Sequence, residues 1–270
     1  MANAQPGERE QALIDIAIKA GNAILDIYGT SFDIAEKPDH SPVTEADRRA
    51  EDIILAELSR HFPKVPVLAE EAASAGNIPE LGNRFFLVDP LDGTREFINR
   101  NGEFTVNIAL IENGDPVSGV VLAPAINRLF VGSLDGACFE FSSPKGPLDA
   151  SVKAEPRLLT THPPSAEGLR VVASRSHRDR KTDECIRRYK VKDIVAAGSS
   201  LKFCLLAANE ADFYPRFGRT MEWDTGAGHA VLRAAGGVVM DLENNPLRYG
   251  KHEQGYANPP FLAWASTIGG

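Results

Sequence analysis

Cysteine is scarce in this chain of 270 residues: it occurs three times, as Cys138, Cys185 and Cys204. An odd number of cysteines at such wide spacing fits neither a disulfide framework nor a zinc knuckle. The ordinary interpretation is buried free thiols in a reducing compartment. A hydrophobic core must therefore stabilise the chain, and the 43% hydrophobic content is ample for one.

Positive charge is also in short supply. Lys and Arg number 29 against 37 Asp and Glu, which gives a net charge of -8. This balance argues against nucleic acid or an anionic membrane as the main partner, because both attract basic surfaces. A local basic pocket for a phosphorylated small molecule remains compatible with it.

Long apolar runs are missing as well. No stretch approaches the roughly 18 apolar residues that a membrane-spanning helix needs. The beginning of the chain, MANAQPGEREQ, lacks the basic and apolar regions of a signal peptide. We therefore expect a cytoplasmic protein without an integral membrane segment, which is still able to touch the cytoplasmic face of the inner membrane.

The hydrophobic pattern changes about halfway along the chain. Helical spacing predicts helices over residues 8–28 and 45–61, followed by short strands and two hairpins in VPVLAEE, FFLVDP, FTVNIALIENGDPVSGVVLAP and RLFVGSLDGACFEF. After residue 168, strands and helices alternate. Residues 142–168, rich in Ser, Pro and Gly, are the predicted boundary. We expect an α+β half over residues 1–160 and an α/β half over residues 161–270.

The stretch FFLVDPLDGTREF ends an apolar strand in two carboxylates, Asp89 and Asp92. Buried carboxylates are costly unless they are compensated, and a divalent cation is an obvious compensator. The Leu91 carbonyl could add a third oxygen, while Gly93 and Thr94 offer donors to a phosphate. All-oxygen ligation favours Mg²⁺, Mn²⁺ or Ca²⁺ over zinc.

Two alternatives compete for this motif. An aspartate-rich turn that caps a helix would show the same letters. The aspartyl-phosphate phosphatases carry D-x-D-x-T, in which a nucleophilic aspartate stands two residues before the second aspartate. Pro90 occupies that position here, which argues against their mechanism.

Other acids end or begin predicted elements. Glu70 and Glu71 close the strand VPVLAEE, Asp224 opens the helix WDTGAGHAVLRAAGG, and Thr44 to Asp47 has the spacing of a capping box. Each has a structural explanation of its own, as a solvated strand end, a helix N-cap or a capping box.

The segments VTEAD, LAEE, VDPLDGT and EWDTGAGHA, in this order, resemble the inositol monophosphatase superfamily of lithium-sensitive, magnesium-dependent phosphatases. Within that superfamily, NGEFTVNIALI, SRSH, GSSLKFC and YPRFGRTMEWDT resemble the bacterial 3′(2′),5′-bisphosphate nucleotidases. The resemblance runs from the first helix to PLRYG near residue 250. No position of the expected metal site departs from the family pattern.

The resemblance implies a layered αβαβα sandwich with metals between its halves, most of the metal ligands belonging to the first half. It implies two or three Mg²⁺ ions, replaceable by Mn²⁺ and with Li⁺ as an inhibitor, held by Glu70, Asp89, the Leu91 carbonyl, Asp92 and Asp224. It further implies release of the 3′-phosphate from adenosine 3′,5′-bisphosphate, giving AMP, with phosphoadenylyl sulfate as a second substrate. Such an enzyme would recycle a by-product of sulfate activation.

Roles follow as hypotheses. Glu70, Thr94 and Asp47 would be catalytic, because Glu70 would orient the attacking water and the other two would support it by hydrogen bonds. The substrate-binding set would be Glu70, Leu91, Asp92, Gly93, Thr94, Ser174, Ser199, Lys202, Arg216 and Asp224. Ser200, Arg175 and Tyr214 are further candidates for substrate contact, whereas His177 and His229 are interpreted as lining or structural groups.

Two other functions stay open at this point. An inositol or sugar phosphatase of the same fold would share the metal motifs, although GSSLKFC and YPR argue against it. A non-catalytic metabolite-binding protein would bind Mg²⁺ without releasing phosphate. The sequence does not indicate an oligomeric state.

Overall fold

The computed structural model describes residues 5–36, 42–143, 156–175 and 179–266. The helices are α1 (Glu8–Tyr28), α2 (Glu45–His61), α3 (Glu70–Ser74), α4 (Thr94–Ile98), α5 (Arg180–Ile186), α6 (Leu201–Ala207) and α7 (Glu222–Ala234). The strands are β1 (Ile34–Glu36), β2 (Pro42–Thr44), β3 (Val67–Ala69), β4 (Arg84–Asp92), β5 (Thr105–Glu112), β6 (Asp115–Ala123), β7 (Arg128–Ser133), β8 (Cys138–Ser142), β9 (Arg157–Leu159), β10 (Leu169–Ser174), β11 (Val191–Ala197), β12 (Phe213–Arg216), β13 (Val238–Asp241) and β14 (Phe261–Trp264).

Two large sheets organise these elements. The first has seven strands in the order β3-β4-β5-β6-β7-β8-β9, and every neighbouring pair is antiparallel except the parallel pair β3 and β4. The second has five strands in the order β11-β10-β12-β14-β13, in which β10 runs parallel to both its neighbours. Strands β1 and β2 form a separate antiparallel pair.

Helices cover and separate the two sheets. Helices α1 and α2 pack on the outer face of the first sheet, where buried residues such as Ile16, Ile54 and Phe86 share one apolar cluster. Helices α6 and α7 lie between the sheets, and α5 packs on the far side of the second sheet. These five layers confirm the predicted αβαβα fold.

Close contact between α7 and the first sheet depends on glycine. A Cβ atom added at Gly119 of β6 would lie 2.6 Å from the Ala227 carbonyl oxygen and 2.8 Å from the Ala230 Cβ. Both distances are shorter than van der Waals contact, so α7 could not keep its present distance from the strand. Because α7 also carries Asp224, this contact positions part of the candidate site.

Replacing Gly119 by alanine should lower the free energy of unfolding by about 1–3 kcal/mol, the usual cost of overpacking a core. Urea unfolding followed by circular dichroism would measure this loss. Gly82→Ala is the matched control, because a Cβ atom there meets nothing within 4 Å. Equal unfolding midpoints for the two variants would contradict the tight α7–β6 contact.

The sequence predicts the elements of this fold well, with three differences. Glu70 begins α3 instead of ending a strand, and the short strands β1 and β2 were not expected. Strand β9 lies inside the predicted boundary segment and pairs with β8, so the first sheet extends to Leu159. Residues 144–155 of that segment lie outside the described residues. The division into two halves stays a prediction.

The thiols agree with expectation: Cys138, Cys185 and Cys204 are all buried and free. Burial raises the pKa of Cys138 to about 12, so its thiol stays protonated and unreactive. Within the described ranges, none of the helices has both the length and the apolar character that crossing a bilayer requires.

Candidate active site

A cleft of about 290 Å³ opens where the ends of β4 and β12 meet the first residues of α4, α6 and α7. Of the catalytic, metal-binding and substrate-binding residues predicted from the sequence, it is lined by Glu70, Asp89, Leu91, Asp92, Gly93, Thr94, Ser174, Ser199, Lys202, Arg216 and Asp224, and the further candidate Tyr214 lines it too. Asp47 does not line the cleft, because it lies buried behind Thr94, and neither do the further candidates Ser200 and Arg175. The fold therefore gathers residues from both large sheets at one place.

The floor of the cleft is acidic. Burial, followed by the negative charges of neighbouring carboxylates, raises the pKa of Asp89 well above its ordinary value. Burial likewise raises the pKa of Asp92 and, more strongly, that of Asp224. Side chains arranged in this way repel one another when ionised, so a cation bound among them would stabilise the charged forms.

Local geometry at the end of β4 makes this acidic floor. The pairing of β4 with β5 is regular up to Asp89 and Asn107, then shifts before it resumes at Asp92 and Thr105. The residues of this bulge include Leu91, whose backbone N–H donates to Asp89 Oδ1 at 3.1 Å. Bulges re-aim side chains in this manner next to active sites.

Gly93 ends the strand in a left-handed conformation, with φ at 92°, which strains any residue that has a side chain. A Cβ atom there would also approach Glu96 Oε2 to 3.2 Å. The turn consequently needs glycine at this position. It also brings the backbone of Gly93 and Thr94 to the wall of the cleft.

A buried hydrogen-bond chain supports Thr94. Its hydroxyl donates to Asp47 Oδ1 at 3.1 Å, and Asp47 Oδ2 accepts the Thr44 backbone N–H and hydroxyl at 2.7 Å each. Thr44 and Asp47 also form the capping box expected at the start of α2. Thr44 and Asp47 therefore cap α2, and Asp47 also binds Thr94 at the wall of the cleft. Burial raises the pKa of Asp47.

Ser200 and Asn107 hold Asp92 in position. Asp92 Oδ2 accepts a hydrogen bond from the Ser200 hydroxyl at 3.0 Å and from Asn107 Nδ2 at 3.4 Å. The Ser200 hydroxyl also lies 2.5 Å from the Asp224 backbone oxygen, so its single proton is shared between two acceptors. Asp224 itself accepts the Met221 backbone N–H at 2.8 Å and caps α7.

Two basic residues, Lys202 and Arg216, line the same cleft and form what we call its basic wall. The Lys202 side chain is buried, donates to the carbonyl oxygens of Ala197 and Ser199, and lies 5.4 Å above the Tyr214 ring. Burial lowers the pKa of Lys202 to about 8 in spite of the nearby Asp92. Arg216 lines the same wall and donates to the Arg219 carbonyl at 3.3 Å.

Some residues that the sequence analysis considered for the site do not line the cleft. Arg175 forms an ion pair with Glu103, and His229 is buried against Tyr249, where burial lowers its pKa to about 3. His177 lies outside the described residues.

The cleft is also lined by residues that were not singled out from the sequence, namely Pro42, Arg95, Glu96, Phe203, Arg219, Thr220 and Thr225. Arg219 belongs to the quoted YPRFGRTMEWDT segment, three residues after Arg216, and that spacing was the available signal.

The oxygen donors of the floor suit a hard cation, although they do not enclose one by themselves. Among the described residues, no three His, Cys, Asp or Glu side chains are grouped so that they could hold a metal ion. A carbonyl such as that of Leu91, together with water or phosphate oxygens, would have to complete the coordination. Magnesium is usually bound in this way, by few carboxylates together with water and substrate phosphates.

Comparison with known proteins places this cleft in context. Residues 6–266 match the family described as the inositol monophosphatase family. The chain is 44% identical over 248 residues to the 3′(2′),5′-bisphosphate nucleotidase CysQ of Escherichia coli K12, covering 91% of this chain and 95% of that protein. The crystal structure of CysQ from Bacteroides thetaiotaomicron is 38% identical, with a TM-score of 0.78 over 95% of this chain and 96% of that one. An IMPase from Thermotoga maritima is 25% identical, with a TM-score of 0.77 over 97% and 94%.

Proposed function

Since the chain belongs to the inositol monophosphatase family, whose members are generally metal-dependent phosphatases, we propose that it is a 3′(2′),5′-bisphosphate nucleotidase. It would hydrolyse the 3′-phosphate of adenosine 3′,5′-bisphosphate to give AMP and phosphate, and would accept phosphoadenylyl sulfate as a second substrate. The observation that carries the proposal is one cleft whose lining combines the acidic floor with the basic wall of Lys202 and Arg216. A substrate with two anionic groups fits such a division of charge.

Glu70, Asp89, Asp92, Asp224 and the Leu91 carbonyl would hold two or three Mg²⁺ ions. The raised pKa values of the three aspartates support this assignment, because burial makes their charge costly without a cation. When bound, such ions lower the pKa of a water molecule and neutralise charge on the phosphate and on the leaving oxygen. Mn²⁺ would replace Mg²⁺, and Li⁺ would inhibit.

The attacking water would be oriented from two sides. Glu70 lines the cleft and would accept one of its protons. The Thr94 hydroxyl gives its own proton to Asp47, so its oxygen keeps lone pairs for a second hydrogen bond from the water. Water then adds to phosphorus as the bond to the 3′-oxygen breaks, and a proton passes to that oxygen to leave a ribose hydroxyl.

The phosphate that is transferred would lie over the turn at Gly93, where the backbone N–H groups of Gly93 and Thr94 donate to its oxygens. Asp224 would contact the ribose hydroxyl side. This arrangement needs no serine, cysteine or histidine nucleophile. It also agrees with His229, which is buried outside the cleft lining.

The second phosphate would bind the basic wall. Lys202 and Arg216 supply the charge, with the hydroxyls of Ser174 and Ser199 as further donors. A buried lysine whose pKa is lowered regains favourable ionisation when an anion binds beside it. This wall would distinguish a bisphosphate from a monophosphate.

Phosphate release from a panel of substrates tests the proposal. The panel is adenosine 3′,5′-bisphosphate, 5′-AMP, inositol 1-phosphate and fructose 1,6-bisphosphate, each with Mg²⁺ and with Mg²⁺ plus Li⁺. We expect the largest kcat/KM for the nucleotide bisphosphate, suppressed by Li⁺. A preference for inositol or sugar phosphate would overturn the proposed substrate. No phosphate release from any of the four compounds would overturn the proposed phosphatase activity.

Lys202→Met should raise KM for adenosine 3′,5′-bisphosphate by about 10- to 100-fold, because a charge-assisted hydrogen bond contributes roughly 1.5–3 kcal/mol. KM for 3′-AMP, which lacks the 5′-phosphate, should change far less. Steady-state kinetics on both substrates would measure the difference. Lys192→Met, at an exposed ion pair with Glu167, is the matched control. Equal increases in KM for the two substrates would contradict the assignment.

A further inference from the structure

Glu103 joins two distant parts of the chain beside the cleft. It lies between α4 and β5, and its carboxylate forms a bidentate ion pair with Arg175, with N–O distances of 2.8 and 2.7 Å. The same carboxylate accepts the Gly198 backbone N–H at 2.8 Å. Three charge-assisted hydrogen bonds at one partly exposed carboxylate make a strong local clamp.

The clamp acts on the 197–200 loop, by which we mean the last residue of β11 and the three residues that precede α6. Gly198 is pressed against Glu103, since a Cβ atom at that position would lie 2.7 Å from the Glu103 carbonyl oxygen. Ser199, the next residue, adopts a left-handed conformation with φ at 46°. Such a conformation is costly for a residue with a side chain and persists only when its surroundings impose it.

The loop in turn holds Lys202. Two of its carbonyl oxygens, those of Ala197 and Ser199, accept hydrogen bonds from the buried Lys202 ammonium group. Ser199 also lines the cleft, and Ser200 donates to Asp92. A shift at Gly198 and Ser199 would therefore displace Lys202 and the basic wall, whereas Ser200 is held separately by its hydrogen bonds to Asp92 and the Asp224 carbonyl.

Arg175 belongs to the clamp as well. Its guanidinium donates to both Glu103 oxygens and to the Ala196 carbonyl at 2.8 Å, and its backbone N–H donates to the Ala197 carbonyl. These bonds tie the end of β10 to the end of β11. They also occupy the Arg175 guanidinium, and Arg175 is not among the residues that line the cleft.

We propose that Glu103 is a positioning residue for substrate specificity: it fixes the 197–200 loop, and through it Lys202, where the second phosphate of the substrate binds. This inference rests on the proposed function. It assigns a role to the glutamate of NGEFTVNIALI and to the arginine of SRSH, neither of which the proposed reaction uses directly.

Glu103→Gln tests the proposal, because the amide keeps the shape of the side chain and cannot satisfy both the guanidinium and the Gly198 N–H as a carboxylate does. We expect KM for adenosine 3′,5′-bisphosphate to rise about tenfold and the affinity for 5′-AMP, measured by calorimetry, to fall about tenfold. KM for 3′-AMP and kcat should stay within about twofold. Glu112→Gln, which removes an exposed ion pair with Arg84 in the first sheet, is the matched control.

Hydrogen exchange separates this inference from the proposed function. The peptide containing residues 197–202 should exchange faster in Glu103→Gln than in the parent protein, whether or not the bisphosphate is hydrolysed. Unchanged exchange in that peptide would overturn the clamp. An equal rise in KM for 3′-AMP and the bisphosphate, or unchanged affinity for 5′-AMP, would overturn the role in binding the second phosphate. Arg175→Gln, which leaves the Glu103 carboxylate intact, should give a smaller change in the same direction, and no change would contradict its part in the clamp.

Discussion

Replacing Asp92 by asparagine should abolish measurable turnover, a fall in kcat of at least about a thousandfold, at the upper end of what one transition-state contact contributes. Asparagine has nearly the same shape as aspartate, so the Ser200 hydroxyl keeps an acceptor. The change removes one negative charge from the acidic floor, and cation binding there should weaken. Phosphate release at saturating substrate and several Mg²⁺ concentrations would measure the effect.

Stability measurements show whether Asp92→Asn loses turnover through weaker Mg²⁺ binding and not through unfolding. Mg²⁺ should raise the Tm of the parent protein, because a ligand that binds only the folded state stabilises it, and it should raise the Tm of Asp92→Asn less or not at all. Without Mg²⁺ the variant should melt no lower than the parent, because burial raises the pKa of Asp92 and makes its charge costly. Asp193→Asn, at an exposed strand residue, is the control. Near-normal kcat in Asp92→Asn would refute the metal assignment. Glu70→Gln should lose turnover in the same way as Asp92→Asn.

Thr94→Val should lower kcat by about 100- to 1000-fold, the usual cost of losing one preorganised hydrogen bond at the reacting centre. Valine has a similar shape, but it removes the hydroxyl that links Asp47 to the cleft at 3.1 Å. KM for the bisphosphate should change little, because the basic wall is untouched. Single-turnover measurements would separate the chemical step from product release.

Thr94→Ser is the matched control for this change, since it keeps the hydroxyl and should retain most of the activity. Two results would contradict the role of the Thr94 hydroxyl. One is a Thr94→Val enzyme with kcat within about twofold of the parent, a change too small for the loss of a hydrogen bond that orients the attacking water. The other is equal damage from serine and valine, which would indicate a packing defect instead.

The core of the candidate site could be predicted from the sequence because it is local. Asp89, Leu91, Asp92, Gly93 and Thr94 lie within six consecutive residues, and a strand that ends in adjacent oxygen donors places them together in any fold. The capping box of Thr44 and Asp47 was equally readable from spacing. At Thr44 and Asp47 the structure shows that a residue can cap a helix and also support the cleft.

Contacts between residues far apart in the chain could not be predicted in this way. Arg175 was a reasonable candidate for phosphate binding because it is basic, but Glu103, 72 residues away, is its partner. The start of helix α3 also depends on a distant residue, because the Glu51 carboxylate accepts the backbone N–H groups of Glu71 and Ala72, which lie 20 and 21 residues later in the chain. A single sequence identifies charged residues but does not indicate which of them pair.

The central claim is that this cleft holds a nucleotide bisphosphate by one phosphate and hydrolyses the other. The most direct measurement is the identity of the product formed from adenosine 3′,5′-bisphosphate with Mg²⁺, determined by ³¹P NMR, alongside the rate on inositol 1-phosphate. The account predicts 5′-AMP and free phosphate, formed faster than inositol is released. Formation of 3′-AMP, or faster turnover of inositol 1-phosphate, would contradict it.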